Sequence, residues 1–290
     1  MELRVLKYFL VVAREENITK AAALLHITQP TLSRQLIQLE DELGIKLFHR
    51  GKYRVPLTDD GMLLRRRAQE IVDLADKAER ELRRRDGELS GEISIGAAET
   101  NSMTTLSRRI ADFRTSNPMV IFNIFSATAD DILERLEKGL LDIGLLAEPV
   151  DTRRYEFIRM PKKDRWGVWV HCDDPLAQRS SVTPADLIGR PLILSHRYEV
   201  QRELAGWFGD YFDRIDIAAT FNLIINAANM VRNHVGIALG FLIGNISDEL
   251  RFIPLSPALE TGTVLVWKKD RAFSPAAMEF LKRIKYADQA

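Results

Sequence analysis

The sequence predicts an α/β chain: a helix-dominated head, one long linker helix, and a body in which strands and helices alternate. Three observations carry this. Residues 17–36 hold two short helical runs around a tight turn. Residues 59–86 repeat apolar positions at a coiled-coil period. From about residue 92 the pattern switches to short apolar runs separated by amphipathic helical ones.

In the head, Leu3, Leu6, Phe9, Leu10 and Ala13 form a helical stripe suited to pack behind the pair. Thr19 is placed to cap the first run, whose Ala21, Ala22, Leu24 and Leu25 offer a small apolar face. His26-Ile27 makes the turn. Thr28 caps the second run, and Pro30 falls in its first turn, where a missing N–H costs little. Leu32, Leu36 and Leu39 then face inward, leaving Gln29, Thr31, Ser33, Arg34, Gln35 and Gln38 outside. A helix with one apolar seam and a long-armed polar face fits the DNA major groove, where Gln pairs bidentately with adenine and Arg with guanine. An ordinary αα-hairpin with a wet outer face has the same pattern. The run ends at Leu43-Gly44, Gly suiting a left-handed C-terminal cap.

Residues 47–58 read as a two-stranded wing, anchored by Leu47 and Phe48 on one side and Val55 and Leu57 on the other. Its tip carries Arg50, Lys52 and Arg54, cations able to reach phosphates or the minor groove; a solvated basic turn is the alternative.

The long helix over 59–86 spaces Leu64, Ala68, Ile71, Ala75, Ala78 and Leu82 at alternating four and three residues, the seam of a coiled coil. Asp59 and Asp60 at its start and Arg83, Arg84 and Arg85 at its end match the helix dipole. The seam favours dimerisation; packing on its own domain is the other use for it. Asp86-Gly87 to Gly91 reads as a hinge.

Downstream, strands are expected at 92–96, 120–125 and 142–146, with helices at 103–116 (Leu106, Ile110 and Phe113 inward) and 130–138, which implies parallel βαβ units. A second set has strand candidates at 168–170, 191–194, 217–221, 237–239 and 264–267, and a last helix over 274–286 returns to the first set. Gly236 to Gly240 reads as a buried strand with flexible ends rather than a cofactor loop.

The chain resembles the LysR-type transcriptional regulators over nearly its whole length, most densely in residues 1–61. Phe9, Ala13, Ala21, Ala22, Leu25, Gln29, Pro30, Ser33, Arg34, Gln35, Leu39, Glu40, Leu43, Gly44, Leu47, Phe48, Arg50, Leu57, Thr58 and Gly61 carry the resemblance; Asp60 stands where the family usually has alanine. The resemblance implies a winged helix-turn-helix over 1–58, a dimerisation helix over 59–87, and an effector-binding domain over 88–290. That domain would have two lobes like a periplasmic binding protein, about 91–161 with 268–290 and about 162–267, joined by two crossing strands. It implies operator DNA and copies of itself (dimer or tetramer) as partners, with RNA polymerase a further candidate. No cofactor is expected beyond a small-molecule inducer of unknown identity. On this reading Gln29 and Arg34 meet bases, while Thr28, Pro30, Thr31, Ser33, Gln38, Arg50, Lys52 and Arg54 complete the DNA-facing set.

Ligands of open α/β sheets bind beyond the carboxyl ends of the strands, near helix N-termini. Polar segments fall there: Thr100, Asn101 and Ser102; Ser126 and Thr128; Ser195 and Arg197, with Phe221 closing the far side. The resemblance implies that Thr100, Asn101, Ser126 and Thr128 donate hydrogen bonds to the inducer, and Arg197 could pair with a carboxylate. The hydroxyls serve equally well as helix caps. Glu99 is discordant beside an anion and points to a cationic or hydrogen-bonded ligand.

Other classes find little support. Net charge is zero, against a bulk polyelectrolyte binder. The single cysteine, Cys172, excludes an internal disulfide and reads as a passive small residue. His171, His196 and His234 show no metal spacing, and no HExxH, paired CxxC, G-x-S-x-G or P-loop occurs, against an enzyme. A small-molecule-binding module or enzyme with an appended hairpin, and an architectural DNA binder, remain the rivals. With no basic-then-apolar start and no 18-residue apolar run, the expected location is cytoplasmic, away from membranes.

Overall fold

The computed structural model describes residues 1–49, 51, 54–82, 89–244, 246–269 and 271–287, without the side chains of 80–82, 286 and 287. Arg50, Lys52 and Tyr53 of the expected wing tip, Arg83 to Arg85 and the Asp86-Gly87 hinge lie outside the described residues, as does the Leu82 side chain. The chain forms two compact units, Met1–Arg83 and Arg84–Ala290.

The first unit holds α1 (Leu3–Glu15), α2 (Ile18–Leu24), α3 (Gln29–Leu43) and α4 (Asp59–Leu82). Glu16 turns left-handed to end α1, so Asn17 is the first extended residue and its Oδ1 accepts from the Lys20 amide at 2.9 Å. Asn17 is therefore the cap of α2, not Thr19. Ala21, Ala22 and Leu25 face the core, but Leu24 is half exposed, because the two alanines centre the apolar face and its next turn falls on Leu25. Along α1 the buried stripe is Val5, Leu6, Phe9, Val12 and Ala13. Leu3 is exposed and Leu10 only half-buried, since α2 and α3 press one flank of α1 and α4 the other.

The α3 helix starts at Thr28, whose Oγ1 accepts from the Thr31 amide at 3.4 Å, and ends on Gly44 at φ 68°, a conformation that favours glycine. Leu32, Leu36 and Leu39 are buried against α1 and α2. Among the described residues the expected two-stranded wing shows one antiparallel bridge, Phe48 to Leu57, flanked by His49 N to Pro56 O at 2.9 Å. Pro56 has no N–H to extend the ladder, and the amide of Val55 goes instead to the Glu16 carbonyl at 2.9 Å. Phe48 packs on Phe9, ring centroids 5.4 Å apart. In α4, Leu64, Ala68 and Val72 pack on the head's own core, and Lys7 pairs with Asp76 at 2.8 Å. The coiled-coil seam thus divides. Ala68 is consumed internally, while Ile71 and Leu74, rotated about 60° and about 120° from it, stay exposed. Gly61 is required where α4 crosses the wing, because a Cβ would stand 2.1 Å from the Leu47 carbonyl oxygen.

In the second unit, one sheet has the order β2-β1-β3-β11-β4, with β1 (Gly91–Ala97), β2 (Val120–Ser126) and β3 (Ile143–Ala147) parallel. β11 (Thr263–Lys268) runs antiparallel between β3 and β4 (Tyr155–Arg159). Helices α5 (Ser102–Ser116) and α9 (Pro275–Ala287) cover one face and α6 (Ala129–Glu137) the other. The return of the last helix to this sheet agrees with expectation. The strand at 263–268 does not: the sequence pattern puts it in the second set, yet it is an inner strand of the first, buried on both faces as an inner position demands.

The second sheet comprises β5 (Asp164–His171), β6 (Pro191–Ser195), β7 (Asp216–Phe221), β8 (Ile237–Phe241), β9 (Leu250–Pro254) and β10 (Glu260–Thr261), with α7 (Tyr198–Phe208) and α8 (Ile224–Arg232) packed on it. The chain crosses between lobes twice, between β4 and β5 and at Gly262. At the crossing Asp164, fully buried, accepts from Thr263 Oγ1 and from the Asn101 amide, each at 2.8 Å. Among the described residues no helix is long and apolar enough to cross a membrane.

In the head, Glu40 is buried at the end of α3. Burial alone would raise its pKa, but Lys46 Nζ at 2.9 Å and the amides of Leu47 at 2.8 Å and Phe48 at 3.4 Å outweigh it and hold the carboxyl below its ordinary range. A lowered native pKa contributes stability above the unfolded value, about 4.3, that is lost as pH falls through the native one. Glu40→Gln should therefore destabilise the head by about 1–3 kcal/mol near neutrality. In urea melts the gap to the parent should close on acidification.

Candidate functional site

The exposed face of α3 gathers most of the predicted DNA-facing residues. Gln29, Pro30, Thr31, Arg34 and Gln38 are exposed along its first three turns, and Ser33 is half-buried. Thr28 and Thr31 share a hydroxyl–hydroxyl bond of 2.8 Å, and Gln38 donates to Glu42 at 3.3 Å. Arg34 has no hydrogen bond or ion pair to the described residues, so its five donors face outward. Arg54 stands beyond the Phe48–Leu57 bridge, exposed, 3.8 Å from Glu16.

The second unit holds a cavity of about 90 Å³ between its lobes. Lobe I supplies Ala98, Glu99, Ala127 and Thr128; lobe II supplies Trp166, Ser195, Arg197, Phe221 and the start of α8. The wall is largely apolar. Of the predicted inducer contacts, Thr128, Ser195, Arg197 and Phe221 line it; Thr100, Asn101, Ser102 and Ser126 do not. Ser126 ends β2 exposed to solvent. Asn101 is spent on the crossing, its amide N donating to Asp164 and its Nδ2 to the Leu242 carbonyl. Thr100 and Ser102 are buried, with hydroxyls that find no hydrogen-bond partner among the described residues, so they are not caps. Thr128 is a cap: its Oγ1 accepts from the Asp131 amide at 3.4 Å and donates to Asp131 Oδ2 at 2.7 Å.

Arg197 does more than line the wall. From lobe II it reaches across, Nε donating to Asp130 at 3.2 Å, Nη1 to the Ala147 carbonyl at 3.4 Å and Nη2 to the Pro149 carbonyl at 2.9 Å. Its fork is engaged with lobe I, so a ligand carboxylate would compete with Asp130 for it. Glu99 reaches the other way, accepting from the Ile224 amide at 2.5 Å at the N-terminus of α8. Burial pushes the Glu99 carboxyl above its ordinary range, partly offset by that amide.

Trp166, Val200, Leu239 and Ile243 of the wall carry no signal in the sequence, because apolar lining residues look like core there. Two other expectations fail. Cys172 is exposed rather than packed. His171 and His234, far apart in sequence, stand with ring centroids 4.5 Å apart, because β5 ends where the turn after α8 returns.

Comparison with known proteins decides the family. Residues 3–62 match the description "Bacterial regulatory helix-turn-helix protein, lysR family", and residues 86–288 match "LysR substrate binding domain". The chain belongs to the LysR family of transcriptional regulators. An uncharacterized HTH-type transcriptional regulator of Bacillus subtilis, YybE, is 29% identical over 97% of both chains. The Hca operon transcriptional activator HcaR of Escherichia coli is 27% identical over 97% of this chain and 96% of its own. Full-length CbnR, solved in complex with its target DNA, shares the fold with a TM-score of 0.77 at 22% identity, over 99% of this chain and all of that one. This LysR regulator is thus of a kind whose relatives are described as regulators, not enzymes.

Glu99 yields a test with a fixed sign. A raised native pKa means that stability falls as pH rises through the window from the unfolded value, about 4.3, to the native one. Acidification from neutrality should therefore stabilise the parent relative to Glu99→Gln, whose amide oxygen still accepts from Ile224. Urea unfolding of the two proteins across that window measures it, and parallel profiles would refute a buried ionised Glu99.

Proposed function

We propose that this chain is a ligand-responsive regulator whose α3 reads operator bases with Gln29 and Arg34. Thr28, Thr31 and Ser33 hold register on the phosphates, and Pro30 fixes the first turn. Gln38 and Arg54 border the contact, and Arg50 and Lys52, beyond the described residues, would extend it toward the backbone. The observation that carries this is the outward Arg34, exposed and with no competing acceptor among the described residues, on a helix whose first turn also exposes Gln29. CbnR was crystallised on target DNA, and the shared fold supports the same use here.

A dimer would present two such helices to two half-sites. The exposed Ile71 and Leu74 of α4 support pairing along that helix, and the unpaired edge of β2, with Ile121 and Ile124 exposed, supports a second contact that would make a tetramer. Family membership, rather than a surface of this chain, brings in RNA polymerase as a further partner.

The inducer would bind between the lobes against Thr128, Ser195, Arg197 and Phe221. The cavity of about 90 Å³ is half open to solvent, so a larger ligand either protrudes from it or parts the lobes. Parting them strains the Arg197 contacts to lobe I. A ligand that replaces those contacts favours the open form, and only such differential affinity moves the equilibrium. With Thr100, Asn101 and Ser102 outside the wall, recognition rests on the Glu99 and Arg197 pair of opposite charges, which suits a zwitterionic or hydrogen-bonding molecule.

Two measurements follow. On a site chosen by selection from random duplexes, Arg34→Ala should lose about 1–3 kcal/mol and relax the preference at one base pair. Equal losses on selected and scrambled DNA would refute base reading. The double substitution Ile71→Asp with Leu74→Asp should shift sedimentation toward a smaller species and weaken binding to the full operator far more than to a half-site; an unchanged assembly would refute pairing through α4.

A further inference from the structure

A cluster of two histidines and an aspartate at the end of β5 lies outside the proposed DNA-binding and inducer sites. His171 is the last residue of β5, and Asp173 follows in the turn whose Asp174 amide donates to the His171 carbonyl at 3.0 Å. His234 lies two residues beyond α8, held at φ 56° while its amide donates to the Val231 carbonyl at 3.0 Å. One ligand atom from each of the three lies within 4.8 Å of the others. His171 Nδ1 is 2.6 Å from Asp173 Oδ1. Cys172, between them in sequence, is not part of the cluster.

We propose that His171, Asp173 and His234 form a binding site for a divalent transition-metal ion such as zinc. Two imidazoles and one carboxylate are the borderline donors that zinc, cobalt and nickel prefer, whereas calcium and magnesium take oxygen. Tetrahedral zinc at about 2.0 Å from each ligand places donor atoms about 3.3 Å apart, a spacing reached here by side-chain rotation. Three protein ligands leave a position for water, and the exposure of Asp173 and His234 gives an entry path. The negative end of the α8 dipole also points at the site.

Position makes this a second ligand site and not part of the cavity. Trp166, in the cavity wall, and His171 are five residues apart along β5, about 16 Å in extended chain. α8 runs between the two places: its first turn borders the cavity, and its last precedes His234. A bound ion would tie the C-terminal end of α8 to the end of β5.

The test uses the tag-free full chain, stripped by chelator and titrated with zinc against a chromophoric competitor, with metal content measured after desalting. One zinc per chain is expected, with affinity at least about tenfold weaker in His171→Gln, His234→Asn and Asp173→Asn. Asn tolerates the left-handed backbone at 234, so that variant keeps its fold, and each variant's zinc-free melting midpoint checks this. Cobalt should give ligand-field bands that zinc displaces, unchanged in Cys172→Ser. No retained zinc in the parent, parent-like affinity in His234→Asn, or loss of binding only in Cys172→Ser would each overturn the site.

Discussion

Asp164 stands where the chain first passes from one lobe to the other, and its carboxylate is buried there with no ion pair among the described residues. Two donors satisfy it, the Asn101 amide from the approach to α5 and the Thr263 hydroxyl from the returning strand. Because an unsatisfied buried carboxylate is far more costly than a solvated one, those donors are held to it, and with them the start of α5 and both crossings. Next to it Trp166 Nε1 donates to Thr261 Oγ1 at 2.8 Å, and Thr261 donates in turn to Glu203, at 3.1 Å. This network fixes the pivot, so relative movement of the lobes is left to contacts farther out, of which Arg197 and Glu99 are the principal polar ones. Both reach across in opposite directions, Arg197 toward lobe I and Glu99 toward lobe II.

The legible and illegible parts of the sequence divide along physical lines. Periodicity located α3, because Leu32, Leu36 and Leu39 are spaced for one buried face and nothing else competes for them. It located β1 to β3 and their helices for the same reason. It failed where one residue type serves two ends. Thr100, Ser102 and Thr128 are all small hydroxyl residues near helix starts, yet only Thr128 both caps a helix and lines the cavity. It failed for α4, where an apolar repeat was wide enough for two partners, and Val72 rather than Ile71 turned to the head. It failed at β11, since a short apolar strand carries no mark of which sheet it will join. The pairing of His171 with His234 is invisible to spacing, being made by two separate chain reversals.

The head shows a comparable economy of contacts. Glu40 anchors the turn out of α3 through three donors, and Gly61 lets α4 pass against the Leu47 carbonyl, so the recognition helix, the bridge and the linker helix share one joint. Arg34 stands about 120° around α3 from Glu40, away from that joint. A change in α4 would thus reach α3 through packed backbone and not through the flexible groups that would meet DNA.

The placement of β11 has a consequence for the order in which the protein is made. Leu146 and Val264 are register partners, yet all of lobe II is encoded between them. During synthesis the inner edge of β3 emerges with no neighbour on that side, and stays so while an entire second sheet is translated and free to close on itself. Lobe II is thus an uninterrupted stretch of chain and lobe I a split one, so the first half of the sensor to leave the ribosome is the last able to finish folding.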